Sequence, residues 1–447
     1  MSMLNTNTAP SVQGGQLQIR EAVLLAFCDP LPERCARLHR LSGNEWRALL
    51  PWLDTSGLAL YFLDRVIELQ LCDMLPFDVL TRLQQNLTDN TERMRGMIDE
   101  SIAIHRDFQS AHLSYATLKG FSLWPHSVPK PELRSQLDLD FLIAEKSVPE
   151  ARWILERRGY HLHAVSGRSW EFKTNEIPGT SLKDLYKNVS YRCVELHVEA
   201  NLQGQPSLLA RTGKRDFHGI YMPVLSPVDL FLGQGLHVYK HVCSEFSRTA
   251  HLLEFRRHVL ARREDNSFWR ELQSIAENNP RAALGLGLVT LLITHVMGDF
   301  APEPLTHWTA HRLPNSSRLW IEMYGARSVF ASFPGSKLYL LLQRELESAS
   351  VPANRTRRQV LFPLRLPPAI TQASLNDSLS VRIRRYRIQL RFIVFRLRFH
   401  IVEGLRYTWE SFCWRRRMNR LARRGISALD SPYSPTHLPD VHITKPR

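Results

Sequence analysis

The chain contains no Cys-x-x-Cys pair, and its six cysteines (Cys28, Cys35, Cys72, Cys193, Cys243 and Cys413) are scattered singly. That spacing speaks against a disulfide framework and a cysteine zinc site, and it fits reduced thiols in a cytoplasmic protein. Long apolar runs are also missing. The most apolar window, Ala282 to Met297, falls short of the ~20 residues needed to cross a bilayer, and it carries Gly285, Gly287 and His295. A buried helix is expected there instead. Residues 1–16 are polar and lack the basic and apolar regions of a secretion signal, so they read as a disordered start. No internal repeat is visible, which speaks against a solenoid or propeller.

Acidic residues are scarce in one place only. Residues 351–447 hold 20 Lys and Arg against 5 Asp and Glu, whereas the rest of the chain holds 38 of each sign. The net charge of +15 therefore belongs to the last hundred residues. An anionic partner, RNA or a membrane surface, is an expectation for that segment and not for the body.

Residues 17–110 carry helical periodicity, in Trp46, Leu49, Leu50 and Leu53 and again in Leu60, Leu63, Ile67 and Leu71. A long helix from Phe77 to Phe108 follows, with Asp78 placed to cap it. Residues 111–215 have a mixed α/β texture. A short β-branched run ends at Lys119-Gly120, and Leu137 to Ile143 alternates strictly, so Asp138 and Asp140 face the same side of a strand. Pro149 to Arg158 reads as a helix stopped by Gly159. Tyr191 to Ala200 alternates again and puts Glu195, His197 and Glu199 on one face. Residues 216–350 return to helices, with Ser226-Pro227 as the first start signal. Residues 351–447 form a basic segment. In it, Ile383, Tyr386, Leu390, Ile393, Leu397 and Ile401 suit an amphipathic helix, although Val381 to Ile383 would also fit a strand, and the last twenty residues read as disordered.

Carboxylates that converge on one point suit phosphoryl chemistry, because two metal ions about 3.5–4 Å apart need several acidic ligands. Asp138 and Asp140 supply two from one strand, and Glu195 on a neighbouring strand supplies a third. Lys119, Gly120 and Ser122 stand at an expected strand-to-helix junction, where backbone amides, a cation and a hydroxyl could cradle phosphate. His237 and His241 lie four apart on a helix and could face one metal or simply pack, and no third ligand is evident in the sequence.

These residues carry a resemblance. The run Ala116-Thr117-Leu118-Lys119-Gly120, then Arg134, then Asp138-Leu139-Asp140-Phe141-Leu142-Ile143, is similar to the uncharacterised nucleotidyltransferase family of the DNA polymerase β superfamily. Gly159-Tyr160, Val194-Glu195-Leu196-His197, Ser226-Pro227 and His237 with Lys240-His241 continue it, over about residues 40 to 260. The second glycine of the superfamily's turn is Phe121 here. The resemblance implies an α+β fold, predominantly helical, in which a nucleotidyltransferase-type mixed sheet is flanked by helical domains. It further implies transfer of a nucleoside monophosphate from an NTP with Mg²⁺ or Mn²⁺. Asp138, Asp140 and Glu195 would be catalytic and metal-binding, and Lys119, Gly120, Ser122, Arg134 and Lys240 nucleotide-binding. Arg134 could equally brace Asp138. The acceptor is open between RNA, protein and a small molecule, and Phe121 leaves open a binding protein built on a degenerate version of the fold.

Overall fold

The computed structural model describes residues 10–174, 184–188, 192–199, 207–245, 248–277, 279–332, 334–347, 357–361, 363 and 378–426. The N-terminal helices form where the apolar periodicity predicts them: α1 (Pro10–Leu25), α2 (Gly43–Ser56) and α3 (Ala59–Glu68). Helix α1 starts earlier than the polar composition suggested, because burial of Ile19, Ala22, Val23 and Leu24 anchors a helix that extends back to Pro10. The remainder of the expected disordered start, residues 1–9, lies outside the described residues. A capping box opens α2: Ser42 Oγ accepts from the Glu45 N–H, while the Glu45 carboxylate accepts from the Ser42 N–H. The 34-residue α4 (Phe77–Ser110) runs on to the sheet and buries Ile104 and Phe108 against it. Asp78 does not cap α4. Pro76 occupies that position, and the Asp78 carboxylate accepts from Arg47 Nε at 2.7 Å.

Among the described residues seven strands form one mixed sheet: β1 (Tyr115–Leu118), β2 (Leu139–Ile143), β3 (His161–Ser166), β4 (Ser169–Lys173), β5 (Cys193–Val198), β6 (Gly213–Phe217) and β7 (Ile220–Val224). Their order is β3-β4-β5-β2-β1-β7-β6, with β2 parallel to β5 and β1 parallel to β7. Helix α5 (Val148–Arg157) follows β2 and ends at Gly159, which has φ +84°. Strand β2 begins at Leu139, two residues later than the alternation suggested, because β1 ends at Leu118 opposite Asp140 and leaves 137–138 no partner there. The β6–β7 hairpin turns at His218-Gly219, both at positive φ. It carries the sheet past residue 215, the limit set from texture.

The chain then returns to helices, α6 (Pro227–Val242), α7 (Thr249–Ala261), α8 (Asn266–Ala276) and α9 (Pro280–Met297). Ser226 Oγ caps α6 by accepting from the Asp229 N–H. The apolar window 282–297 is a buried helix, α9, whose Leu286, Leu288, Val289, Leu292 and Ile293 are fully enclosed. Shorter helices follow: α10 (Glu303–Thr306), α11 (Asn315–Trp320), α12 (Ala326–Val329), α13 (Tyr339–Glu347) and α14 (Arg357–Leu361). Within the basic segment, residues 379–426 form one 48-residue helix, α15 (Leu379–Ile426), and the strand alternative at 381–383 is not adopted. The disorder expected for the last twenty residues falls outside the described residues. The architecture is α+β and predominantly helical. Among the described residues no helix is long and apolar enough to cross a membrane.

Candidate active site

Adjacent parallel strands fix the acidic pair. Asp140 on β2 stands directly opposite Glu195 on β5, and strict alternation sends both side chains to the same face. His197, two residues beyond Glu195, shares that face. Its Nε2 lies 2.9 Å from Asp140 Oδ1 and 3.5 Å from Glu195 Oε2. Ser169 Oγ on β4 donates to the other Glu195 oxygen. Lys119, at the end of β1, places Nζ 3.0 Å from Asp140 Oδ1. Strand order explains the convergence, since β1, β2, β5 and β4 are consecutive neighbours.

The turn after β1 is shaped by backbone strain. Lys119 adopts φ +50° and ψ −156°, a conformation normally left to glycine that costs about 1–3 kcal/mol. Gly120 follows at φ +46°, and a Cβ there would lie 2.4 Å from Gln136 Nε2. Gln136 in turn donates from Nε2 to the Asp138 carbonyl at 2.7 Å, which links the turn to the residues entering β2. The expected α-helix after Gly120 is only a 3₁₀ turn, Gly120–Leu123, because Pro125 lies too close for a helix to propagate. Ser122 is fully buried, and its hydroxyl donates to the Lys119 carbonyl at 2.8 Å. Phe121 sends its ring into the core against Phe217, centroids 5.0 Å apart, so its side chain leaves the turn itself open.

The electrostatics are those of a crowded acidic site with built-in countercharge. Burial, reinforced by the Asp140 charge, pushes Asp138 up to about 6, against the pull of Lys119 and Arg134. A hydrogen bond from His197 holds Glu195 at about 2, with Ser169 assisting against burial. Burial opposes a proton on His197, but the hydrogen bonds to Asp140 and Glu195 outweigh it and raise the imidazole to about 9. Burial likewise opposes the Lys119 charge, and the Asp140 carboxylate more than restores it. Asp140, Glu195 and His197 bring their ligand atoms within 4.8 Å of one another, a set able to hold one metal ion. Carboxylate oxygens suit a hard divalent cation, and Asp140 already draws the Lys119 ammonium and the His197 imidazole to one oxygen, so the residues fit such an ion.

The other sequence-derived residues stand further out. Arg134 is committed to a brace, with Nε donating to Glu254 Oε1 at 3.1 Å. Tyr61 donates to the same oxygen. Lys240 is exposed on α6. His237 and His241 acquire a third neighbour that the sequence did not suggest, His251 of α7, and the ligand atoms of the three lie within 4.8 Å. Burial first, then the charges of His241, Lys119 and Arg134, drives His237 down to about 2, and burial also holds His251 below its ordinary value, so these two imidazoles are unprotonated beside cations. That surrounding charge disfavours a bound dication there. Sequence reasoning also passed over Ser169 and left His197 out of the site. For His197 the signal was present, an imidazole two residues after Glu195 on one strand face. For Ser169 there was none, because β4 carries no pattern that distinguishes it.

The family model described as "Uncharacterised nucleotidyltransferase" matches residues 42–298, more than half of the chain. The chain belongs to that family. The match begins at the α2 cap, ends after α9, and contains the whole sheet together with every residue of the acidic site. No curated protein matches the chain. Membership of this nucleotidyltransferase family supports a transferase that uses an NTP, and α15 lies wholly outside the matched region.

Proposed function

We propose that this nucleotidyltransferase moves a nucleoside monophosphate from an NTP to an acceptor hydroxyl or similar group, with the acceptor drawn from RNA, protein or a small molecule. The observation that carries the reading is the Asp140–Glu195 pair, set in register on parallel strands with Lys119 bonded to Asp140. In the reaction the acceptor oxygen forms a bond to the α-phosphorus. The bond from that phosphorus to the bridging oxygen breaks, and pyrophosphate leaves with the electron pair. Glu195 orients the acceptor, whose proton is released to solvent.

Asp138, Asp140 and Glu195 would hold Mg²⁺ or Mn²⁺, which when bound neutralises phosphate charge and aligns the reacting groups. Gly120 gives the triphosphate a close backbone approach and Lys119 gives it a cation. Ser122 closes the turn from below, while Arg134 and Lys240 add positive charge on the α6 side. His197 positions the Asp140 and Glu195 carboxylates by bonding to both. We assign the protein to the cytoplasm on its six free cysteines, and assign residues 351–447 an anionic partner, RNA or membrane.

Calorimetry with ATP, GTP, CTP and UTP tests the reading without knowledge of the acceptor. The expected result is Mg²⁺-dependent binding of at least one nucleotide, lost in Asp140→Asn. A folded wild type that binds none, with or without metal and candidate acceptors, would make the chain a binding protein on a retained fold.

A further inference from the structure

Exposed apolar surface is concentrated on one element. Of the twenty exposed large hydrophobic residues among the described ones, thirteen lie on α15. At 1.5 Å per residue this helix is about 72 Å long, and it carries fourteen arginines against two acids. Both acids are engaged by the body. Glu403 accepts from Ser336 Oγ and the Lys337 N–H, and Glu410 accepts from Tyr324 and Arg327. Tyr407 and Trp414 are buried on that same side, and Trp414 Nε1 donates to Glu345. The helix is therefore anchored by one stripe, which leaves another facing outward.

The outward stripe reads Ile383, Leu390, Val394, Leu397, Ile401 and Leu405, between 48% and 70% exposed. Steps of three, four and seven residues place it on one helical face. Arg384, Arg387 and Arg391, all exposed, run along its margin. A contiguous apolar row on a soluble surface marks an interaction site.

We propose that α15 lies on an anionic lipid surface, with the aliphatic row in the acyl boundary and the arginines at the headgroups. Charge and chemistry select this occupant. A second copy pairing through Leu390, Val394, Leu397 and Ile401 would bring the arginines at the margin, Arg384 and Arg391, of both helices to the seam, a like-charge arrangement at flanking positions. RNA would satisfy the arginines but leave the aliphatic row in water, because base stacking uses aromatic and guanidinium planes. An anionic membrane satisfies both, since arginine stems extend along apolar surface while their heads reach the phosphates. The transfer site, on a different part of the chain, would thereby be held close to a membrane, whatever its acceptor proves to be.

Co-sedimentation of the full chain with phosphatidylcholine vesicles, with and without phosphatidylglycerol, tests the proposal. Binding is expected only to the anionic vesicles. Replacing Arg384, Arg387 and Arg391 by Ser should weaken it about a hundredfold, and replacing Leu390, Leu397 and Ile401 by Gln should weaken it at least about tenfold. All six positions are exposed, so circular dichroism and Mg²⁺-nucleotide binding should stay at wild-type level in both variants. Three outcomes overturn the proposal. One is absence of vesicle binding. Another is RNA binding that the arginine variant abolishes and the aliphatic variant leaves intact, with vesicles ignored. The last is a wild-type dimer in solution that the aliphatic variant converts to monomer.

Discussion

Gly120 carries two constraints at once, a positive φ and a Gln136 side chain where its Cβ would stand. Gly120→Ala should therefore lower the unfolding free energy by about 1–3 kcal/mol. By pushing Gln136 off the Asp138 carbonyl, it should also weaken nucleotide binding at least about tenfold; denaturant unfolding and calorimetry measure the two effects separately. His105 gives a second residue-level expectation. It is buried between Tyr115 OH (2.8 Å from Nδ1) and Thr117 Oγ1 (3.3 Å from Nε2), and burial pushes it down to about 4. Between its unfolded value of about 6.5 and that folded value, the unfolded chain binds a proton that the folded one does not. Stability should then fall on acidification through this window, by about 1.4 kcal/mol per pH unit well below the unfolded value. His105→Gln should reduce the slope by about that amount in urea titrations from pH 7 to 4, while buried imidazoles such as His237 and His258 keep the rest. If the slope is unchanged, His105 is not the group responsible. The sequence showed neither device, because the collision at Gly120 and the enclosure of His105 depend on partners that only the fold brings near.

Helix α9 shows how an element's packing decides what glycine does. A Cβ on Gly287 would meet the Thr309 carbonyl carbon and oxygen at 2.8 Å, and that backbone cannot rotate away. Nothing lies within 4 Å of the corresponding position at Gly404 in α15. Gly287→Ala should consequently destabilise the protein despite its better helix propensity, while Gly404→Ala should stabilise α15 by up to about 1 kcal/mol. Thermal melts of the two variants should move in opposite directions, and a shift of the same sign would remove close packing as the cause. Elements whose pattern is strong were legible in advance: the alternation of β2 and β5, the Ser226 cap of α6, and the apolar run of α9. Strand β3, mostly exposed, and the hairpin β6–β7 carry too little alternation to stand out from loop. The α15 helix was legible as amphipathic, but which face would meet the body depended on where Ser336, Tyr324 and Arg327 stand.

At the scale of the whole molecule, a buried polar link ties the segment that enters β2 to the helices around it. Tyr61 of α3, Arg134 from the segment before β2 and Glu254 of α7 converge, with Glu254 accepting from both others. The sequence left Arg134 open between phosphate contact and bracing. The geometry bonds Arg134 to Glu254 and not to Asp138, and Glu254 lies 120 residues away, beyond the reach of any local pattern. The Arg134 side chain is only 17% exposed and that of Glu254 3%. Glu254→Gln therefore leaves a nearly enclosed guanidinium without its counterion and should cost about 3–5 kcal/mol, more than Tyr61→Phe at about 1 kcal/mol. Replacing both Arg134 and Glu254 by Met removes the charges together and should recover much of that loss, since a buried ion pair contributes little net stability over an apolar pair. Stability and function then separate. If Arg134 also draws the triphosphate, the double variant should melt near wild type while its Mg²⁺-nucleotide affinity falls at least about tenfold. Wild-type affinity in a stable double variant would leave Arg134 as a brace alone, and positive charge for the phosphates would rest with Lys119 and Lys240.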